Sequence, residues 1–131
     1  MSIAFKAPEK PSVYFKGWIA GDAGSGKTDG SIKLGTGLGF GAKPALALTE
    51  HEGAAFLDPT TFDQFAWLPP YTHQRAAEII AEAVKLGYKC LIFDSASSLY
   101  EDQGGIIDQV EASAEARASR GRSNYVSTTV A

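Results

Sequence analysis

Cysteine, histidine and long apolar runs are what this chain has least of. A single cysteine, Cys90, excludes an internal disulfide and leaves no second thiol for a cysteine-based zinc site. The two histidines, His51 and His73, stand alone with no second ligand at helical spacing, so zinc is not expected. No apolar run reaches the ~18 residues that a membrane span needs, and no signal-peptide core opens the chain. A cytoplasmic protein without membrane contact is therefore expected. Excess charge is missing too. With 21% charged residues and a formal net charge of −3, the composition argues against disorder and against a dedicated nucleic-acid binder.

What is present is 44% hydrophobic content over 131 residues, enough for one domain with a core. Charge divides unevenly. Residues 1–50 hold six lysines against four acids, and residues 51–131 hold six basic against eleven acidic residues, giving +2 and −5. Glycine is concentrated rather than abundant: nine of the 14 lie between Gly17 and Gly41. Clustering of that kind points to a site.

Along the chain, residues 1–12 read as an exposed lead-in, 13–118 as the folded domain, and 119–131 as a polar tail or an additional strand. The run from Val13 to Ala20 is rich in β-formers and predicts a buried strand ending at Gly21. Ala45 to Thr49 predicts a second strand, and Phe65 to Leu68 a weaker one closed by Pro69 and Pro70. From His73 to Leu86, Ala76, Ile79, Ile80, Ala83 and Leu86 recur at helical spacing, with Thr72 as cap and Gly87 as stop. Cys90 to Phe93 reads as a buried parallel strand, and Ile106 to Ala118 as a further helix. Strands alternating with helices predict an α/β domain with a mainly parallel sheet.

Gly21-Asp22-Ala23-Gly24-Ser25-Gly26-Lys27-Thr28 satisfies the phosphate-loop (Walker A) pattern G-x-x-x-x-G-K-[ST] in full. Several backbone N–H groups can turn inward around a polyphosphate only where glycine permits a positive φ or a close approach. The helix that follows aims its positive dipole end at the phosphates. Lys27 supplies an ammonium for the outer phosphate oxygens, and the Thr28 hydroxyl a ligand for Mg²⁺. Beyond Thr28, Asp29, Gly30 and Ser31 are poor helix formers, and Gly35 to Gly41 alternates glycine with other residues. A short helix ending in a flexible loop is expected there.

Leu91-Ile92-Phe93-Asp94 ends a buried strand in an acid, the form expected of the carboxylate that holds the magnesium hydration shell (Walker B). The alternative is that Asp94 caps a turn or short helix from Ser95 to Tyr100. Ser95 could second Asp94 by hydrogen-bonding a metal water. Hydrolysis also needs a group to orient and deprotonate water. In Thr49-Glu50-His51-Glu52-Gly53 the first choice is Glu52, with Glu50 the alternative and two ordinary solvated acids the bland reading.

In that order the elements resemble the RecA-like P-loop ATPases, most closely the small phage-type AAA-family ATP-binding proteins linked to DNA recombination. Tyr14 to Gly21 looks like that family's opening, and Glu50-His51-Glu52-Gly53 resembles its acidic signature, with Glu52 at the catalytic glutamate. Leu91 to Ser95 is similar to its Walker B segment. Asp58-Pro59 looks like a RecA-type segment that would place Phe62 to stack on adenine, the alternative being plain core packing. The resemblance spans Val13 to Asp108. It implies a RecA-like P-loop sheet, present in part, with flanking helices. It also implies Mg-dependent ATP binding and hydrolysis coupled to DNA recombination or repair, with single-stranded DNA as a partner, in the host cytoplasm if the chain is phage-encoded. A non-hydrolysing nucleotide-binding module of a larger assembly is the second expectation. A small-molecule kinase comes last, since no arginine-rich lid segment is seen.

The chain departs from the family in its glycine-rich helix after the phosphate loop, and in Asp22, a negative charge at the phosphate mouth. The family also carries a strand between the phosphate-loop strand and the Asp94 strand, and only Tyr125 to Val130 is available for it here. Either this tail supplies that strand, or the chain is C-terminally incomplete and works with a partner or as a homo-oligomer. Arg117, Arg120 and Arg122 fit an arginine finger, a DNA-backbone contact, or a solvated helix end.

Overall fold

Ala45-Leu46-Ala47-Leu48 is small, aliphatic and without a charge, as a strand buried on both faces must be. It forms β1 (Ala45–Leu48), three of whose four residues are buried, and it lies at the centre of a three-stranded parallel sheet of order β2-β1-β3. The structure, a computed structural model, describes residues 5, 7 and 14–126. On one side β1 pairs with β2 (Asp63–Ala66), an exposed edge strand, and on the other with β3 (Leu91–Asp94). The register sets Ala47 opposite Phe65 and Phe93, and Leu48 opposite Ala66 and Asp94. Each strand begins or ends within two residues of its sequence-based position.

The helices fill the crossovers. The first, α1 (Lys27–Leu38), precedes β1, and the single turn α2 (His51–Ala54) follows it. Next, α3 (His73–Lys85) bridges β2 to β3; the Thr72 hydroxyl accepts from Arg75 N–H at 3.2 Å, and Gly87 takes φ 81° beyond its end. Of its expected apolar face, Ala83 is buried and Ile79 half-buried, whereas Ile80 and Leu86 are exposed. After β3 come α4 (Ser98–Glu101) and α5 (Ile106–Val126). The core gathers Ile32, Leu46, Leu48, Ala54 and Phe62 between α1, β1 and α2. Trp67, buried below β2, meets Tyr71 and Phe93 edge-on at 5.5 and 6.0 Å between ring centroids. Among the described residues, no helix is long and apolar enough to cross a membrane.

Three expectations are corrected. Residues 14–20, read with Val13 as a buried strand, carry no strand and are exposed; Val13 lies outside the described residues. Strand propensity is realised only against a neighbouring backbone, and the outer edge of β3 pairs with no strand among the described residues. A cavity of about 680 Å³ lies there instead, lined by Phe15, Trp18 and Ile19 from one side and Ile92 and Phe93 from the other. Tyr125 and Val126, two of the six residues that were to supply a central strand, belong to α5, and residues 127–130 lie outside the described set. Residues 119–126, read as tail or strand, are thus helical.

The third correction concerns the glycines. The stretch after Thr28 is one continuous helix of three turns rather than a short helix and loop. Gly35 explains part of its composition. A Cβ there would sit 3.1 Å from Cys90 Sγ, 3.1 Å from Pro44 and 3.3 Å from Ile92, so its absence lets α1 lie close on β3. Gly30, by contrast, faces open space. Gly35→Val should therefore destabilise the fold by about 1–3 kcal/mol through overpacking, while Gly30→Ala should stabilise it by up to ~1 kcal/mol. Denaturant titration of both variants checks the sign of each; equal shifts would mean that Gly35 is no packing device.

Candidate nucleotide-binding site

The glycine-rich loop ends where α1 begins. Gly24 and Gly26 have φ of 76° and 82°, a region that side-chain-bearing residues rarely adopt, and Gly26 is the residue that caps α1. At Gly21 a Cβ would lie 2.8 Å from Ser25 Oγ, so a larger residue there would make the Ser25 side chain turn away. Residues 21–26 are exposed, leaving the loop open to a ligand, and Ser25 N–H donates to Asp22 O to close its turn. Lys27, half-buried, folds back so that its ammonium donates to the carbonyls of Gly21 and Asp22 at 2.5 and 2.6 Å. Gly21, Asp22, Ala23, Gly24, Ser25, Gly26, Lys27 and Thr28 thus form one bent loop with its cation drawn across it.

Thr28 is the second residue of α1, and Asp94 the last of β3. The packing of α1 on β3 brings them together although 66 residues separate them: Thr28 Oγ1 donates to Asp94 Oδ2 at 2.6 Å, in a half-buried contact. The two oxygens that the sequence assigns to one metal ion therefore share a hydrogen bond. A hydroxyl and a carboxylate suit Mg²⁺, a hard cation that takes few protein ligands and completes its shell with water and phosphate oxygens. Among the described residues, no group of three or more His, Cys, Asp and Glu side chains is gathered for a metal. Beside the loop, Asp29 and Lys33 form an exposed ion pair at 2.7 Å one turn along α1.

The acids after β1 lie at the same end of the sheet. Glu50, exposed, is the residue before α2, and its N–H reaches Asp94 O at 3.5 Å. Glu52 is exposed on α2, and a side chain at its neighbour Gly53 would begin 4.0 Å from Thr28 Oγ1. The short helix therefore abuts the Thr28–Asp94 pair, with both glutamates within one residue of a contact to it.

Other assignments separate from this centre. Phe62, read as a platform for adenine, is 5% exposed and packed into the core with Leu46 and Leu48. The core-packing alternative is the correct one, because Phe62 sits just before β2 and turns under the sheet. Asp58 closes a tight turn instead, accepting from Thr60 N–H and Oγ1 at 2.9 and 2.7 Å, and these bonds hold its carboxyl below the usual range. Ser95 Oγ accepts from Ser97 N–H and so serves the turn after Asp94. Arg117 and Arg120 are exposed on α5, and the side chain of Arg122 lies outside the described set.

Thr49 and Ser98 had no place in the sequence-based site, yet they link its two halves. Thr49 Oγ1 accepts from Ser95 N–H at 2.8 Å and from Ser98 Oγ at 2.9 Å, and donates to Ser95 O at 3.3 Å. A threonine ending a strand just before acids was the only signal, and Ser98 looked like one more polar loop residue. Compared with protein-family models, with curated proteins and with solved structures, the chain matches none.

Proposed function

We propose that this protein is a RecA-like P-loop ATPase that binds ATP with magnesium and hydrolyses it, in work on DNA such as recombination or repair. The observation that carries the reading is the hydrogen bond of 2.6 Å between Thr28 Oγ1 and Asp94 Oδ2 at the foot of a glycine loop. Two motifs read independently from the sequence meet there in a direct hydrogen bond. Thr28 and Asp94 would hold Mg²⁺, which when bound neutralises phosphate charge. The loop from Gly21 to Gly26 offers backbone N–H groups to the phosphates, and Lys27 exchanges the Gly21 and Asp22 carbonyls for phosphate oxygens. Glu52, or Glu50 beside it, takes the proton from the attacking water.

A second reading, a nucleotide-binding module that does not hydrolyse, draws on the outer edge of β3, which pairs with no strand among the described residues. ATP turnover measured with and without single-stranded DNA separates the two. Turnover stimulated by DNA is expected. Tight binding without turnover would transfer the conclusion to the binding module, and absence of ATP binding would remove both.

A further inference from the structure

Asp94 is held at three points. Its carboxylate accepts from Thr28 Oγ1, its carbonyl accepts from Thr49 N–H at 2.7 Å, and the residue after it is gripped through both backbone groups by the Thr49 hydroxyl. A hydroxyl has one proton to give and two lone pairs to receive. Thr49 spends all three here, on Ser95 O, Ser95 N–H and Ser98 Oγ, and Ser98 is itself only 3% exposed. Saturation of that kind, at the turn that aims a metal-binding carboxylate, is more than a strand terminus requires. Register supplies the reason it works: Leu48 pairs with Asp94, so Thr49 falls beside Ser95, while the next residue is Glu50.

We infer that Thr49 is a positioning residue for metal binding, one that fixes the Asp94 carboxylate against Thr28 and ties it to the segment carrying Glu50 and Glu52. The inference rests on the nucleotide-binding reading above. Thr49 touches neither phosphate nor metal in this role; it acts through Asp94. Removing its hydroxyl strands a buried serine and a backbone N–H, and the turn they hold can then move. Because Lys27 and the glycine loop belong to a different element, phosphate binding without metal should not notice the change.

The test uses the whole chain and a fluorescent ATP analogue carrying a methylanthraniloyl group on its ribose. Its affinity is measured first in EDTA, then as Mg²⁺ is added back. For Thr49→Val, EDTA affinity should match the parent chain, while the Mg²⁺ concentration that half-saturates the complex rises about 10- to 100-fold, as loss of a supporting partner behind a metal ligand does. Thr49→Ser, which keeps the hydroxyl, should restore most of the difference. An unchanged Mg²⁺ requirement in Thr49→Val overturns the inference, as does equal impairment by valine and serine, which would assign the effect to packing. If Thr49→Val fails to fold by circular dichroism, Ser98→Ala, removing one of the three bonds, should give a smaller shift in the same direction; no shift there overturns it equally. Failure of the parent chain to bind the analogue overturns the nucleotide reading itself and this inference with it.

Discussion

Lys27→Ala should weaken ATP binding about 10- to 100-fold, with the fold left standing. A hydrogen bond to a charged group contributes about 1.5–3 kcal/mol, and each 1.4 kcal/mol is tenfold in affinity. The side chain is well placed for that role: it is half-buried at the first position of α1, and its ammonium already lies across the loop on the Gly21 and Asp22 carbonyls. Those carbonyls belong to exposed residues, so water replaces the ammonium in the variant and stability changes little. Lys27→Arg keeps the charge but replaces a compact ammonium by a planar fork, and should recover only part of the affinity. Titration calorimetry with ATP reads all three proteins. Equal affinity in Lys27→Ala and the parent chain would remove the phosphate-loop reading.

The loop was legible because its chemistry is local. Eight consecutive residues specify it, and the positive φ of Gly24 and Gly26 is what glycine at those positions announces. The Asp94 strand was legible for a related reason: a short apolar run closed by an acid reads as a strand, and β3 ends at the acid, although as an edge of the sheet it is half-buried rather than buried as expected. Meeting of the two motifs follows from α1 lying on β3, which Gly35 permits, and that contact could not be read from either motif alone.

Where the sequence misled, the deciding partner lay elsewhere in the chain. Tyr14 to Ala20 has strand composition, but a strand is a property of two backbones, and the neighbour that would pair with it is not present among the described residues. Phe62 shows the same dependence at the level of one side chain. An aromatic near a nucleotide motif fits a stacking role and a core role equally well until the burial of its neighbours is known. Thr49 and Ser98 illustrate the converse: two unremarkable hydroxyls gain meaning only from the β1–β3 register, which sets positions 49 and 95 side by side.

Glu52→Gln should retain ATP binding and lose turnover by about 10²–10⁴-fold, the usual contribution of a positioned general base. Glutamine keeps the shape and one acceptor oxygen but cannot take a proton at neutral pH. Under the proposed reading the candidate bases are Glu52 and Glu50. Glu50 lies nearer to Asp94 along the backbone, since its N–H reaches the Asp94 carbonyl. Glu52 sits on α2 next to Gly53, whose missing side chain leaves room beside Thr28. Under the proposed reading Glu52, on the turn beside Thr28, is the first choice of base. Glu50→Gln is accordingly expected to slow turnover less than tenfold, since its contact to Asp94 is made by the backbone N–H, which glutamine keeps. Steady-state phosphate release under saturating ATP and Mg²⁺ compares the two variants, with binding measured in the same samples. Collapse of turnover in Glu50→Gln with full turnover in Glu52→Gln would move the role to Glu50. Full turnover in both would mean that neither acid after β1 activates the water, and that the two are solvated ends of a short helix.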